Sequence, residues 1–127
     1  MSRATVLVVE DNALNLKLVR DVLGHAGYRV LEAGDAERGL QLARAERPDL
    51  VLMDVQLPGI DGVEALRRLR ADAATASIPV VAVTALAMKA ERQRFVDAGF
   101  DGYLEKPVDI RALRRAVAAL LGAEARP

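Results

Sequence analysis

Five polar residues stand where apolar runs of this sequence stop, and together they could handle a phosphoryl group. Glu10 and Asp11 follow "TVLVV" (Thr5 to Val9), and Asp54 follows "LVLM" (Leu50 to Met53). Thr84 closes "IPVVAVT" (Ile78 to Thr84), and Lys106 with Pro107 follows "GYLE" (Gly102 to Glu105). Carboxylates gathered in one place repel, and at least one pKa rises unless a cation intervenes. A hard divalent ion relieves this: Mg²⁺ takes oxygen ligands, keeps several waters, and is commonly held by one or two carboxylates plus a phosphate. With no cysteine and one histidine in the chain, zinc and copper find no suitable donor set. Lys106 adds a second positive charge. Asp54 is then the candidate nucleophilic acceptor, with metal and lysine neutralising charge on the transferring group.

That chemistry requires distant residues to meet, so the elements that carry them matter. The apolar runs read as strands, short and apolar on both faces, at Thr5–Val9, near Arg29–Ala33, at Leu50–Met53, at Ile78–Thr84 and at Gly102–Glu105. Pro79 falls at the start of the fourth, where a missing N–H is tolerated. Helical stretches alternate with them. The first carries Leu18, Val19, Val22 and Leu23 on one face and ends at "HAGY"; the second is capped by Asp35, carries Leu40 and Ala43, and stops before Pro48. Asp61 with Glu64 spells a capping box for the third, with Val63, Leu66 and Leu69 inward. The fourth runs over about Met88–Ala98 and closes at Gly99; the fifth has Asp109 as N-cap, with Val108 able to staple onto Leu113.

Strand and helix alternate five times, which implies an α/β fold: a parallel sheet covered on both sides. Right-handed crossovers then leave few topologies open. Parallel strands all end at one edge, so Glu10, Asp11, Asp54, Thr84 and Lys106 share one crevice. An aspartate at a strand end also serves simply to cap the next helix, as Asp11 or Asn12 could do for the first. Asp54 is different, because the loop "VQLPG" follows it and Asp61 already caps the next helix. Capping does not account for Lys106 either.

The totals fit this picture. At 127 residues the chain is sized for one domain, with a core expected over about residues 4–121 and no need of staples. Eighteen basic residues balance eighteen acidic ones, so no global field draws nucleic acid. No apolar run approaches the roughly 20 residues of a membrane span, and the N-terminus has no signal-peptide pattern. A cytoplasmic protein without nucleic-acid binding or membrane insertion is expected.

"VLVVEDN", "DLVLMDVQLPGIDG", "PVVAVTA" and "YLEKP", in this order and spacing, resemble the receiver domain of bacterial response regulators (the CheY-like superfamily), over about residues 4–121. "VEDNALN", "MDVQLP" and "VTALAMKAER" are closer still to DivK-type single-domain regulators and to receivers fused to hybrid kinases. The resemblance implies a flavodoxin-like (βα)5 doubly wound sandwich with strand order 2-1-3-4-5, and a phosphoacceptor signalling protein, not an enzyme beyond catalysing its own phosphorylation and dephosphorylation. Asp54 would accept phosphate from a phosphohistidine on a histidine kinase or histidine phosphotransferase. Mg²⁺ would be bound by Asp11 and Asp54, with Glu10 assisting directly or through water and Gln56 offering its backbone carbonyl. Lys106 would pair with the phosphoryl oxygens, Thr84 would move its hydroxyl onto them, and Tyr103 would follow inward. Tyr103 can equally be a half-buried aromatic on a sheet edge. The family commonly has a cis bond at the Lys-Pro step, so Lys106–Pro107 is the cis candidate. Ala85 would leave the acceptor open to donors, and the side chains of Gln56 and Leu86 would influence how long the phosphate lasts.

Some residues need other readings. Asn15 lies within the inward stripe of the first helix and, as a polar group there, is expected to bond backbone in a neighbouring loop. Leu14 and Leu16 flank it near the acceptor edge. Leu14, with Leu16, Asn15 and Pro107, is a candidate surface for docking the phosphodonor's helices. The alternative is partial burial against the adjacent helix. His25 reads as a surface residue at a helix C-terminus, and Gly59 and Gly62 as turn formers.

Other reaction classes fit less well. A haloacid-dehalogenase-type phosphatase needs a second acid where Gln56 stands. A flavin binder needs a donor-rich loop after the first strand, and Glu10–Asp11 would repel its phosphate. Only residues 122–127 follow the last helix, so no effector domain is expected. A chain from Met1 to a polar tail reads as a single-domain regulator. Output is then phosphorylation-dependent protein binding, as in DivK-like cell-cycle or developmental control. The alternatives are onward transfer to a histidine phosphotransferase, or a receiver normally fused to a kinase.

Overall fold

The computed structural model describes residues 4–57, 59–85 and 89–121. Five strands, β1 (Thr5–Val9), β2 (Arg29–Ala33), β3 (Leu50–Asp54), β4 (Val80–Thr84) and β5 (Gly102–Glu105), alternate with five helices. The helices are α1 (Ala13–His25), α2 (Ala36–Glu46), α3 (Gly62–Ala71), α4 (Lys89–Ala98) and α5 (Ile110–Leu121). The strands form one parallel sheet in the order β2-β1-β3-β4-β5, as the sequence predicts. The start expected for the fourth helix at Met88 lies outside the described residues, as does Leu86.

Side chains alternate across the sheet and feed two cores. On one face Leu7, Val9, Val51, Met53, Val80 and Ala82 pack against α2, α3 and α4. On the other, Val6, Val8, Leu50, Leu52, Val81, Val83 and Leu104 pack against Val19 and Leu23 of α1 and Leu113 and Val117 of α5. The central β3 is buried along its whole length, which is why "LVLM" shows no alternation. The carboxylate that ends it is therefore mounted on the most rigid element of the molecule.

Caps fix where α1, α2, α3 and α5 leave the sheet edge. Asn12 caps α1, its Oδ1 accepting from the N–H of Leu14 and of Asn15, both at 3.0 Å. Asp35 and Asp61 accept from Arg38 and Glu64 at 2.8 and 2.9 Å. Asp109 accepts from the N–H of Arg111 at 2.9 Å.

Several details correct the sequence reading. The capping box of α3 is half made: Glu64 turns away from the cap and binds Arg67 and Arg68, whose guanidinium charges are better partners than a lone N–H. β4 begins at Val80 rather than Ile78, because Pro79 has no N–H to donate; its carbonyl accepts from Val51 at 3.0 Å. On α1 the inward stripe is Leu16, Val19, Val22 and Leu23, while Leu18 is exposed. At about 100° per residue, Leu18 and Leu16 lie on opposite sides of its centre, roughly 160° apart. Asn15 is half-buried, and the hydrogen bond seen at it runs from its own N–H to the Asn12 cap rather than to a neighbouring loop. Gly59 has the left-handed backbone of a turn (φ 77°). Gly62 serves a different purpose: a Cβ there would stand 2.6 Å from Val55 Cα and 2.9 Å from the Asp54 carbonyl. The first turn of α3 thus presses directly on the backbone that carries Asp54.

Candidate functional site

The strand tips bring Glu10, Asp11 and Asp54 together. One carboxylate oxygen from each lies within 4.8 Å of the others. Glu10 and Asp54 are buried, Asp11 is exposed, so the cluster is a walled pocket open on one side. Glu10 is held by its own backbone N–H, which donates to Ala33 of β2 at 3.0 Å. Its carboxylate accepts from the Asn12 N–H at 3.2 Å. Asp54 Oδ1 accepts from the Gln56 N–H at 2.9 Å, so the loop after β3 orients the carboxylate with its first turn.

Lys106 reaches in from the end of β5. Its Nζ lies 2.8 Å from Asp54 Oδ2 and 3.2 Å from Glu10 Oε1. The Lys106–Pro107 bond is cis, as expected, and the Lys106 N–H donates to the Thr84 carbonyl at 2.8 Å. Thr84 is fully buried at the tip of β4, and Ala85 after it is small and exposed.

The electrostatics follow from this packing. Burial, then the hydrogen bond and charge of Asp54, push the Glu10 carboxyl up to about 7, against the opposing pull of the Asn12 N–H and Lys106. Burial works to lower the Lys106 ammonium, but the contacts with Asp54 and Glu10 outweigh it, and its pKa is raised. Lys106 therefore stays charged throughout the neutral range.

The donor set suits magnesium. The clustered side-chain ligands are all carboxylate oxygens, and the exposed rim at Asp11 leaves room for the waters that Mg²⁺ retains. His25, the one histidine, is exposed at the far end of α1 and takes no part.

Tyr103 is half-buried on the α4 side of β5. Register pairs it with Ala82, and Thr84 lies two residues further along β4 on the same face, so the two side chains are diagonal neighbours. Arg92 of α4 donates to the Tyr103 hydroxyl at 3.0 Å. Nothing in the periodicity singled out Arg92, because the contact forms only when α4 folds back beside β5, the strand that follows it.

The candidate docking residues divide. Leu14 is 79% exposed, a large apolar side chain in water at the start of α1. Leu16 is half-buried in the core and is not part of that surface. Leu18 (37% exposed) and Ile110 of α5 (47%) are exposed instead. The i, i+4 spacing of Leu14 and Leu18 was legible as one stripe. Pro107 is exposed next to Lys106.

A model of the response regulator receiver domain family matches residues 6–118. The polar-differentiation response regulator DivK of Brucella anthropi is 41% identical over 118 residues, covering 93% of this chain and 96% of that protein. DivK of Brucella ovis is 40% identical with the same coverage. Among solved structures, the receiver domain of the sensor histidine kinase PA1611 of Pseudomonas aeruginosa has a TM-score of 0.87 and 34% identity. It covers 96% of this chain and 100% of its own, and has a magnesium ion coordinated in its active-site cleft. The chemotaxis response regulator CheY4 of Vibrio cholerae has a TM-score of 0.88 at 27% identity, covering 94% of this chain and 99% of its own.

Proposed function

The chain belongs to the response regulator receiver family and is a two-component signalling protein, and on that premise we propose that Asp54 is its phosphoryl acceptor. The observation that carries the proposal is Lys106 Nζ at 2.8 Å from a buried carboxylate that shares a pocket with Glu10 and Asp11. An Asp54 oxygen attacks the phosphorus of a phosphohistidine on a histidine kinase or phosphotransferase. The P–N bond breaks as the P–O bond forms, and the released imidazole nitrogen takes up a proton. Lys106 pairs with the transferred oxygens, and the Gln56 N–H keeps the carboxylate aimed.

Glu10, Asp11 and Asp54, with the Gln56 backbone carbonyl, would hold Mg²⁺, which neutralises part of the negative charge as the phosphoryl group arrives. Thr84 closes on the phosphoryl oxygens, and Tyr103 follows. Phosphorylation adds roughly −1.5 to −2 charges, a local change that biases a two-state element. Output is protein binding by the phosphorylated form, as the likeness to DivK supports.

Residues 4–121 act as one receiver unit, and the protein works in the cytoplasm. Among the described residues, no helix is long and apolar enough to cross a membrane. The exposed leucines of α1 and Ile110 of α5 form the apolar surface on which the donor's helices sit. The test is labelling with acetyl phosphate and Mg²⁺. One base- and hydroxylamine-labile phosphate on wild type and none on Asp54→Asn supports the reading; equal labelling of both overturns it.

A further inference from the structure

Tyr103 is gripped from outside by one side chain. The Arg92 guanidinium carbon lies 5.8 Å from the centroid of the Tyr103 ring, and its Nη1 donates to the Tyr103 hydroxyl at 3.0 Å. The two contacts act at different points of the ring, so they fix both its tilt and the position of its hydroxyl. Displacing Tyr103 toward Thr84 breaks them together. Arg92 is itself exposed and is anchored on α4, the next element after β4.

We propose that Arg92 is a latch that holds Tyr103 in its outer position and thereby sets how readily the site passes into its loaded state. The inference rests on Asp54 being the acceptor and names the regulation of that site. A group that binds only one of two states shifts their ratio by its differential contact. Arg92 binds the outer state of Tyr103, so it lowers the fraction of molecules ready for loading. Its exposure keeps the effect modest, about two- to fivefold in population, the range of an exposed cation–π contact. Both wild type and variant fold, because no buried group depends on Arg92.

The experiment uses the full chain with 3-fluorotyrosine at Tyr28 and Tyr103, the Tyr103 fluorine line being identified with Tyr103→Phe. In the unloaded protein Arg92→Ala should shift and broaden the Tyr103 line and leave the Tyr28 line in place, and Arg92→Lys should restore it in part. Beryllofluoride with Mg²⁺, the stand-in for the phosphoryl group, should bind Arg92→Ala about two- to fivefold more tightly than wild type. An unmoved Tyr103 line, or beryllofluoride affinity unchanged or weakened in Arg92→Ala, overturns the latch. If beryllofluoride gives no bound fluorine signal with wild type, the acceptor reading of Asp54 fails by itself, and the unloaded spectra still decide whether Arg92 holds Tyr103.

Discussion

Lys106 Nζ contacts Asp54 Oδ2 at 2.8 Å across 52 positions of sequence, and the same ammonium reaches Glu10 across 96. One cation thus ties the tips of β1, β3 and β5. Lys106→Met removes the charge while keeping the stem, and leaves two buried carboxylates facing each other. Breaking a buried pair from one side costs 3–5 kcal/mol; here the ammonium is partly solvated, and Glu10 can take up a proton. We expect a loss of about 1–2 kcal/mol in urea unfolding without Mg²⁺, mostly recovered with Mg²⁺, and strongly slowed labelling by acetyl phosphate. Full loss of stability that Mg²⁺ leaves untouched would contradict this account.

The Glu10 carboxyl gives a pH dependence with a definite sign. Its folded pKa is raised to about 7 from the ordinary value of 4.5. Between these two values the folded state binds more protons than the unfolded state, so this group makes stability fall as pH rises through the window. Glu10→Gln should flatten that part of the profile, measured by urea midpoints from pH 4.5 to 8. Mg²⁺ prefers the carboxylate, so its affinity for wild type should rise over the same range and level off above pH 7. Proton release on binding, read by calorimetry in two buffers, should shrink toward zero above that point. Parallel profiles for wild type and Glu10→Gln would refute the assignment.

Leu14 is 79% exposed, so replacing it with serine removes no core packing, whereas Leu18 at 37% still has most of its surface covered. Leu14→Ser should unfold within about 0.5 kcal/mol of wild type, as surface changes do, and Leu18→Ser should be the less stable of the two. Labelling by acetyl phosphate should be unchanged, because that donor needs no docking surface. Transfer from a cognate phosphohistidine protein should slow severalfold. Equal transfer rates for the variants and wild type would remove this surface from the mechanism.

Gly62 has no room for a side chain. A Cβ at 2.6 Å from Val55 Cα must push α3 away from the strand that carries Asp54. Gly62→Ala should lower stability by about 1–3 kcal/mol, the range for overpacking, and slow acetyl phosphate labelling by misaligning the Gln56–Asp54 hydrogen bond. Gly59→Ala, strained by φ 77° but with open space around it, should lower stability without the same effect on labelling. If the two substitutions affect labelling alike, the close approach at Gly62 has no special role.

The sequence by itself determined the order of strands and helices, the parallel sheet, and the meeting of Glu10, Asp11, Asp54, Thr84 and Lys106 at one edge. These follow from local signals: apolar runs without alternation, caps at Asp35, Asp61 and Asp109, and the rule that parallel strands end together. Tertiary structure decided what depends on how the elements pack against one another. Leu16 rather than Leu18 turned inward because α1 docks on the sheet and α5 at one rotation, which decides which flank of the Val19–Leu23 face is covered. Gly62 proved to be a place of contact rather than of turning, since only the packed α3 shows the Val55 backbone beneath it. Arg92 became visible only when α4 settled beside β5 and brought its guanidinium over Tyr103. Local propensity carries no information about such contacts, because their energy exists only once both partners have been placed.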